Sequence, residues 1–424
     1  GYNIAIGYAA GKEITTGNQN TIIGGLAGDA LTEGNNNVAV GYNALTSETL
    51  GDRNIAVGRG ALQNQNNTSS VDAYNVAIGY EAGNSVTTGV QNIIVGGNAG
   101  NSLTTGTRNI AIGQSALASE DAGSHNVAIG HLALQAQDSG DAYNVAVGSN
   151  AGKNVTTGNL NTLIGGLAGD ALTTGAQSVA LGYGALSTET ITGRVVAIGL
   201  NSLLNQRSDS HTYNVAVGYE TGKQITTGLK NVFIGGFAGD AVQTASSSIG
   251  IGYRALSGVL TGNNNIGIGE DAGVAITSGV NNIILGSAAG DNLTEGSYNI
   301  AIGQGALSAE DGHGRNVAIG QSALAAQNAG SEGYNVAVGY TAGQAVTTGI
   351  NNTLIGGQTG TALTTGARNV AVGFDALKTE DEHGRNVAIG YQSLKILNAG
   401  ADAFNTAVGY DSGLNITTGT QNTL

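Results

Sequence analysis

The chain contains no cysteine, proline, methionine or tryptophan, and only 10% of its 424 residues are charged. Without cysteine there are no disulfides and no thiolate metal sites, and a stacked architecture does not need such staples. Globular domains carry about 25% charged residues, so this composition argues against ordinary domains. Basic residues are few: 15 Lys and Arg against 29 Asp and Glu give a net charge of −14. Nucleic-acid binding needs clustered Lys and Arg to neutralise phosphates, so nucleic acid is not an expected partner. No apolar run approaches the roughly 20 residues of a membrane span, and no signal peptide is visible. The initiator Met is also missing. The chain opens on Gly1-Tyr2-Asn3 and closes on Asn422-Thr423-Leu424, both fragments of an internal repeat, so a window from a longer array is expected.

Glycine and small aliphatic residues are abundant. There are 72 glycines, and 40% of residues are hydrophobic, too many for a disordered linker. A motif Asn-aliphatic-x-aliphatic-Gly, as in Asn37-Val38-Ala39-Val40-Gly41, recurs 24 times, mostly at a spacing of 17 residues. With the Asn as position 1, only Ser178, Val195 and Ser248 depart from it. Position 4 is always Ile, Val or Leu, position 2 is Ile or Val apart from four threonines, and position 8 is Ala, Ser or Thr. Alternation at positions 2 and 4 has the period of a strand.

Four coil types, A to D, follow one another. A and B coils carry Gly at position 9 and an aliphatic at position 12, as in Gly83 with Val86 and Gly100 with Leu103. C and D coils carry Leu at position 9, as in Leu117 and Leu134. These read as two ways of filling one core slot at constant volume. Extra residues precede Tyr74, Tyr143, Tyr213, Tyr334 and Phe404, always at the end of a D coil, and one D coil is missing after the C coil at Ser248. Insertions confined to one corner mark a surface loop.

The expected fold is therefore all-β: a parallel β-solenoid, or β-roll, of about 24 coils with a 17-residue repeat and a four-coil superrepeat, continuous over residues 1–424. At a strand spacing near 4.8 Å it would form a rod of about 115 Å. Two strands per coil are expected, at positions 1–5 and 8–13, with turns at glycines such as that of Thr87-Thr88-Gly89. Positions 2 and 4 are expected to point inward. Position 3 would then point outward, carrying Ile22, Ile94, Leu163, Phe233, Ile284 and Leu354 toward another chain, preferably in a homotrimer. The alternative is one wide monomeric helix with both faces buried.

The strands Asn75-Val76-Ala77-Ile78-Gly79 and Ser178-Val179-Ala180-Leu181-Gly182 resemble the head repeats of trimeric autotransporter adhesins, the YadA-type left-handed parallel β-roll. The stretch Asn126-Val127-Ala128-Ile129-Gly130-His131-Leu132-Ala133-Leu134 is similar to the NxAxGxxAL arrays of phage tail fibres and tailspikes. The resemblance spans essentially the whole chain, although the family's usual coil is shorter than 17 residues. It implies left-handedness, homotrimerisation and an extracellular attachment role on a virion or cell surface.

No catalytic, cofactor or metal site stands out, and an enzyme is not expected. The Asn row reads as a hydrogen-bonded stack along the axis. The acidic pairs Glu120-Asp121, Glu310-Asp311 and Glu380-Asp381-Glu382 read as solvated turn residues screened by Arg315 and Arg385. The stretches Gly24–Asp29 and Gly165–Asp170 look like a calcium nonapeptide but place Ala27 and Ala168 where it needs glycine, and Asn101 and Thr361 lack the carboxylate. Adjacent threonines such as Thr15-Thr16 and Thr347-Thr348 point to opposite faces, unlike an ice-binding array. The histidines His125, His131, His211, His313 and His383 are too far apart to share a metal. Tyr8, Tyr80, Tyr219, Tyr340 and Tyr410 read as turn and interface caps, with a glycan-stacking strip as the other reading. A structural, adhesive fibre segment is the expected function, and an ice- or glycan-binding solenoid the alternative.

Overall fold

The computed structural model describes residues 1–191 and 193–424. They divide into two compact units, Gly1–Tyr213 and Asn214–Leu424. Each unit is a parallel β-solenoid. The strands run from Ile4–Ile6 to Val196–Ile198 in the first and from Val215–Val217 to Thr406–Val408 in the second, one per turn, giving about 24 turns. No helix occurs among the described residues. The expected parallel stacking with a 17-residue period is present: Val76, Ala77 and Ile78 sit level with Ile93, Ile94 and Val95 of the next turn.

Which face of the strand is inside is the reverse of the expectation. Position 3 is buried, and positions 2 and 4 face out. Ala39, Ala77 and Ala111 are fully buried, as are the larger position-3 residues Ile22, Ile94, Leu163, Phe233, Ile284 and Leu354. The flanking Val and Ile are partly exposed, to 41% at Ile78 and Ile93. Alternation separates two faces without saying which is inside. The answer comes from the opposite side of the turn, whose side chains fill the interior and leave room beneath the strand mostly for Ala.

That opposite side is not a second strand. Its backbone N–H groups alternate between two kinds of partner. Gly83 and Ser85 donate to Ala99 and Asn101 of the next turn at 2.9 and 3.2 Å, whereas Asn84 and Val86 donate back within their own turn to Glu81 and Gly83 at 3.3 and 3.1 Å. Left-handed residues cause the alternation. Glu81 and Gly83 have φ of 52° and 59°, and in the C coil at Asn109 the equivalent Ser115 and Leu117 have 54° and 52°. A left-handed Leu costs about 1–2 kcal/mol. Leu117 is fully buried, and burial of a Leu side chain contributes about 1.5–3 kcal/mol.

The two ways of filling the slot are visible directly. A Cβ on Gly83 would come within 2.8 Å of Ile94 Cδ1, 3.1 Å of Leu62 Cδ2 and 3.3 Å of Val86 Cγ2. A and B coils need glycine there because neighbouring aliphatics already occupy the space. The glycine of Thr87-Thr88-Gly89, by contrast, does not have positive φ. It is glycine because a Cβ would lie 2.4 Å from the Gly106 carbonyl oxygen of the next turn.

Volume conservation also acts between turns. Phe233 is the largest buried side chain, and the turn above it has Gly250 where most have Ala. A Cβ on Gly250 would approach Phe233 Cδ1 to 2.7 Å. Phe233→Ala should lower stability by about 3–5 kcal/mol. Gly250→Ala should destabilise the parent chain and be neutral or stabilising beside Phe233→Leu, because Leu163 and Leu354 fill the same slot under Ala180 and Ala371. Urea denaturation of the four chains measures this coupling, and additive effects would contradict it.

Candidate functional site

Two features of the fold offer chemistry: the outer surface of the strands, and the corner formed by the end of each C coil with the D coil that follows.

The turn-to-turn scaffold is held by position 1. The N–H of Asn37 donates to Asn20 Oδ1 at 2.9 Å, Asn37 Nδ2 donates to the Gly51 carbonyl at 2.9 Å, and Asn54 N–H donates to Asn37 Oδ1 at 2.9 Å. Each fully buried amide thus joins its own turn to the next, as expected of an axial stack. Threonines at position 13 act similarly: Thr87 Oγ1 and Thr104 Oγ1 donate to the Thr104 and Asp121 carbonyls at 3.3 and 2.9 Å. In the pseudo-calcium stretches, Asp29 and Asp170 accept hydrogen bonds from Thr46 and Ser187 of the following turn.

On the outer face, every strand presents two aliphatic or Thr side chains with no polar alternation around them. Beside this face runs a row of aromatics at position 6, joined by Phe237 at position 7 of its coil. Phe374, Tyr391 and Tyr410 stack with centroids 5.9 and 5.1 Å apart, and Tyr219, Phe237 and Tyr253 make edge contacts at 5.1 and 5.9 Å. Phe237 and Tyr253 line a shallow hollow with Asp240, Arg254 and Ser257. A second aromatic set precedes the D-to-A junction. There the Arg that ends a C coil lies over the ring, as Arg53 does over Tyr74 (5.4 Å) and Arg385 over Phe404 (5.1 Å).

The acidic corner differs from the expectation. The first acid of each pair is not solvated. Glu48, Glu120, Glu189, Glu310 and Glu380, all at position 12 of C coils, are fully buried. Each curls back onto its own turn. Glu48 Oε1 accepts the N–H groups of Thr49, Leu50 and Gly51 at 3.0, 3.1 and 2.7 Å, and Glu310 and Glu380 accept those of His313 and His383 at 3.0 and 3.2 Å. Charge-assisted bonds of this kind are worth about 1.5–3 kcal/mol, which offsets the cost of burying the group. In three of the five the second oxygen meets the D coil, and at Glu120 and Glu310 it has no partner. Gln65 Nε2 donates to Glu48 Oε2 at 3.0 Å, and Gln206 Nε2 to Glu189 Oε2 at 3.2 Å. Arg315 and Arg385 do not screen the pairs as expected. They bind Glu332 and Asp402 of the D-coil insertions, each at 3.3 Å. Position 12 of the C coils reads as solvated in the sequence because a Glu beside Asp or Thr looks like a turn residue. Its signal is the Gln at position 12 of the next coil, as in Glu48 and Gln65, or Glu120 and Gln137.

Burial pushes the Glu310 carboxyl up to about 7, against the lowering effect of the His313 N–H. It also raises Glu120 and Glu380, each countered by two backbone N–H groups. No protein-family model matches the chain, and no curated protein does either.

A carboxyl raised in the folded state keeps its proton where the unfolded chain has lost it. Its contribution to stability is therefore present below about pH 4.5 and is lost as pH rises to about 7. In chelator-containing buffer, stability of the second unit should fall by on the order of 2–3 kcal/mol across that window from Glu310. Glu310→Gln, which keeps the acceptor for the His313 N–H, should flatten the slope. Thermal unfolding followed by circular dichroism from pH 4.5 to 7.5 measures it, and an unchanged slope in the variant would contradict the assignment.

Proposed function

We propose that the chain is a structural and adhesive fibre segment, extracellular on a tail fibre or cell surface, that associates as a homotrimer through the outer face of its strands. One observation carries this reading. The strands are apolar on both faces: Val76-Ala77-Ile78 and Ile93-Ile94-Val95 bury the middle residue and leave flanking aliphatics partly exposed. Parallel sheets with near-continuous apolar strands are characteristically covered on both sides. Contiguous exposed apolar surface of this extent marks an interaction site. A second and third copy present the same flat surface with the same axial repeat, so packing can be renewed at every turn. Three chains side by side would repeat any receptor-binding feature three times around the axis, giving avidity without new chemistry. The resemblance to adhesin heads and phage fibres supports the threefold form and the left hand. No catalytic role is proposed, since the buried glutamates act on their own turns.

The second reading is glycan binding by the aromatic row. Its support is the hollow of Phe237 and Tyr253 with Asp240 and Arg254 at its rim, a pairing of ring faces with hydrogen-bonding groups that suits sugars. Binding on a glycan array, lost in Tyr253→Ala, would favour it.

For the fibre reading, light scattering on the full chain should give three times the 41.9 kDa chain mass. The pair Ile78→Lys and Ile112→Lys, whose side chains project from the sheet away from the core, should shift the particle to monomer with an unchanged β-spectrum. A parent chain that is monomeric across micromolar concentrations would defeat the proposal.

A further inference from the structure

Two of the C-coil corners carry a histidine. Position 15, which is Gly51 and Gly123 in the C coils at Asn37 and Asn109, is His313 and His383 in those at Asn299 and Asn369. Both histidines follow the same pattern, Glu-Asp-x-His, in the second unit. The substitution brings an imidazole to the buried glutamate: His313 Nδ1 lies 3.8 Å from Glu310 Oε1, and His383 Nδ1 lies 3.6 Å from Glu380 Oε1. One ligand atom from each of Glu310, Asp311 and His313 falls within 4.8 Å of the other two, and the same holds for Glu380, Asp381 and His383.

The protein leaves an imidazole nitrogen unsatisfied in both corners and a carboxylate oxygen unsatisfied in the first, while Glu380 Oε2 accepts the Ala399 N–H at 3.3 Å. His313 Nδ1 and His383 Nδ1 are buried and lack a hydrogen-bond partner, and so is Glu310 Oε2, on a side chain with no exposure. In the coils of Glu48 and Glu189 the D-coil Gln fills that role. Beneath Glu310 the equivalent Gln327 turns its carbonyl to Asn335 Nδ2 at 2.8 Å, and its own Nε2 has no partner. A buried carboxylate oxygen and a buried imidazole nitrogen on adjacent sides of one small space are both acceptors when the carboxyl and the ring's Nδ1 are both unprotonated. Two acceptors facing each other call for a cation between them.

We propose that each Glu-Asp-x-His corner binds one divalent transition-metal ion of the zinc class, held by the Glu and Asp carboxylates and His Nδ1, with water completing the shell. One nitrogen and two carboxylate oxygens suit zinc, at bond lengths of about 2.0–2.2 Å. Closing the ligands from their present spread needs only rotation of the Asp, which sits on the exposed side of the turn at residue 311. The Glu backbone acceptor bonds survive, because the N–H of position 15 and the metal can share one carboxylate. The two sites are four turns apart, about 19 Å along the axis, so they fill independently. Metal would fasten the C-coil turn to itself where the Glu–Gln bond is missing or replaced. The Glu120, Asp121 and Asp138 cluster has no nitrogen and is not included.

The test is zinc titration of the full chain by calorimetry, with Co2+ absorption as a report on nitrogen ligation. Variants are His313→Gly and His383→Gly, which place there the glycine found in the C coils at Asn37, Asn109 and Ser248. The parent should bind two zinc ions per chain, each single variant one, and the double variant none at these sites, with all four equally folded in chelator. Asp311→Asn should weaken the first site at least tenfold and leave the second unchanged. If the parent binds no zinc, or the double variant retains the parent's stoichiometry, the sites do not exist. His125, His131 and His211 remain in every variant, so zinc held by scattered surface histidines gives this second, overturning result.

Discussion

Successive turns approach so closely that at position 5, and at position 15 of most A and B coils, the backbone of one turn lies where the side chain of another would begin. At position 5 the glycines adopt φ near 135°, and a Cβ on Gly41 would sit 2.5 Å from the Gly58 carbonyl oxygen. At position 15 a Cβ on Gly34 would meet the Gly51 oxygen at 2.5 Å. These contacts do not tolerate drift in coil length on the strand side. A turn one residue longer would bring a side chain against a carbonyl and rotate every strand residue to the other face. The repeat length follows, and extra residues are admitted at one corner only, the end of the D coil, where the chain swings outward before returning to the Asn.

Much of this was legible in the sequence. The invariant spacing of Asn and Gly gave the period, the aliphatic positions gave the strand, and the exchange of Gly83 plus Val86 for Leu117 identified the core slot. Two things were not legible, for a common reason. Whether position 3 or positions 2 and 4 faced inward depended on how much volume Leu117 or Leu103 delivered from the opposite side. Whether positions 8–13 made a strand depended on residues such as Ser115 and Leu117 accepting left-handed geometry, which propensity disfavours. Local preference was overruled by stacking, since repetition of one turn geometry spreads a cost of about 1–2 kcal/mol per residue across contacts that every neighbouring turn also makes.

The acidic corner was misread because a buried charge leaves little mark in one dimension. Glu120 and Asp121 are adjacent, yet one is fully buried and the other exposed. What separates them is the turn. Position 12 is where A and B coils send Val86 and Leu103 into the core, so a Glu there enters the same space and must find donors. It finds them in the N–H groups of its own tightening turn, which in A coils go instead to the next turn, as those of Thr87 and Gly89 go to the Thr104 carbonyl. The carboxylate thus does for the C coil what a capping residue does at a helix end.

The four-coil order follows from that same group. A buried carboxylate has two oxygens, and the C coil's own turn uses mainly one. The other looks to the D coil, to Gln65 beneath Glu48, or to a position-14 N–H at the start of the insertion, as Asn67 and Ala399 provide at 3.4 and 3.3 Å. The D coil supplies a donor to that oxygen at Glu48, Glu189 and Glu380, and supplies none at Glu120 and Glu310. The one C coil with no D coil behind it, that at Ser248, has Val259 at position 12 and buries Leu260 instead. Loss of the acid and loss of the coil that follows it occur together. The D coil, its Gln and its insertion are on this account parts of one device for housing a buried acid, and the superrepeat is the period at which that device recurs.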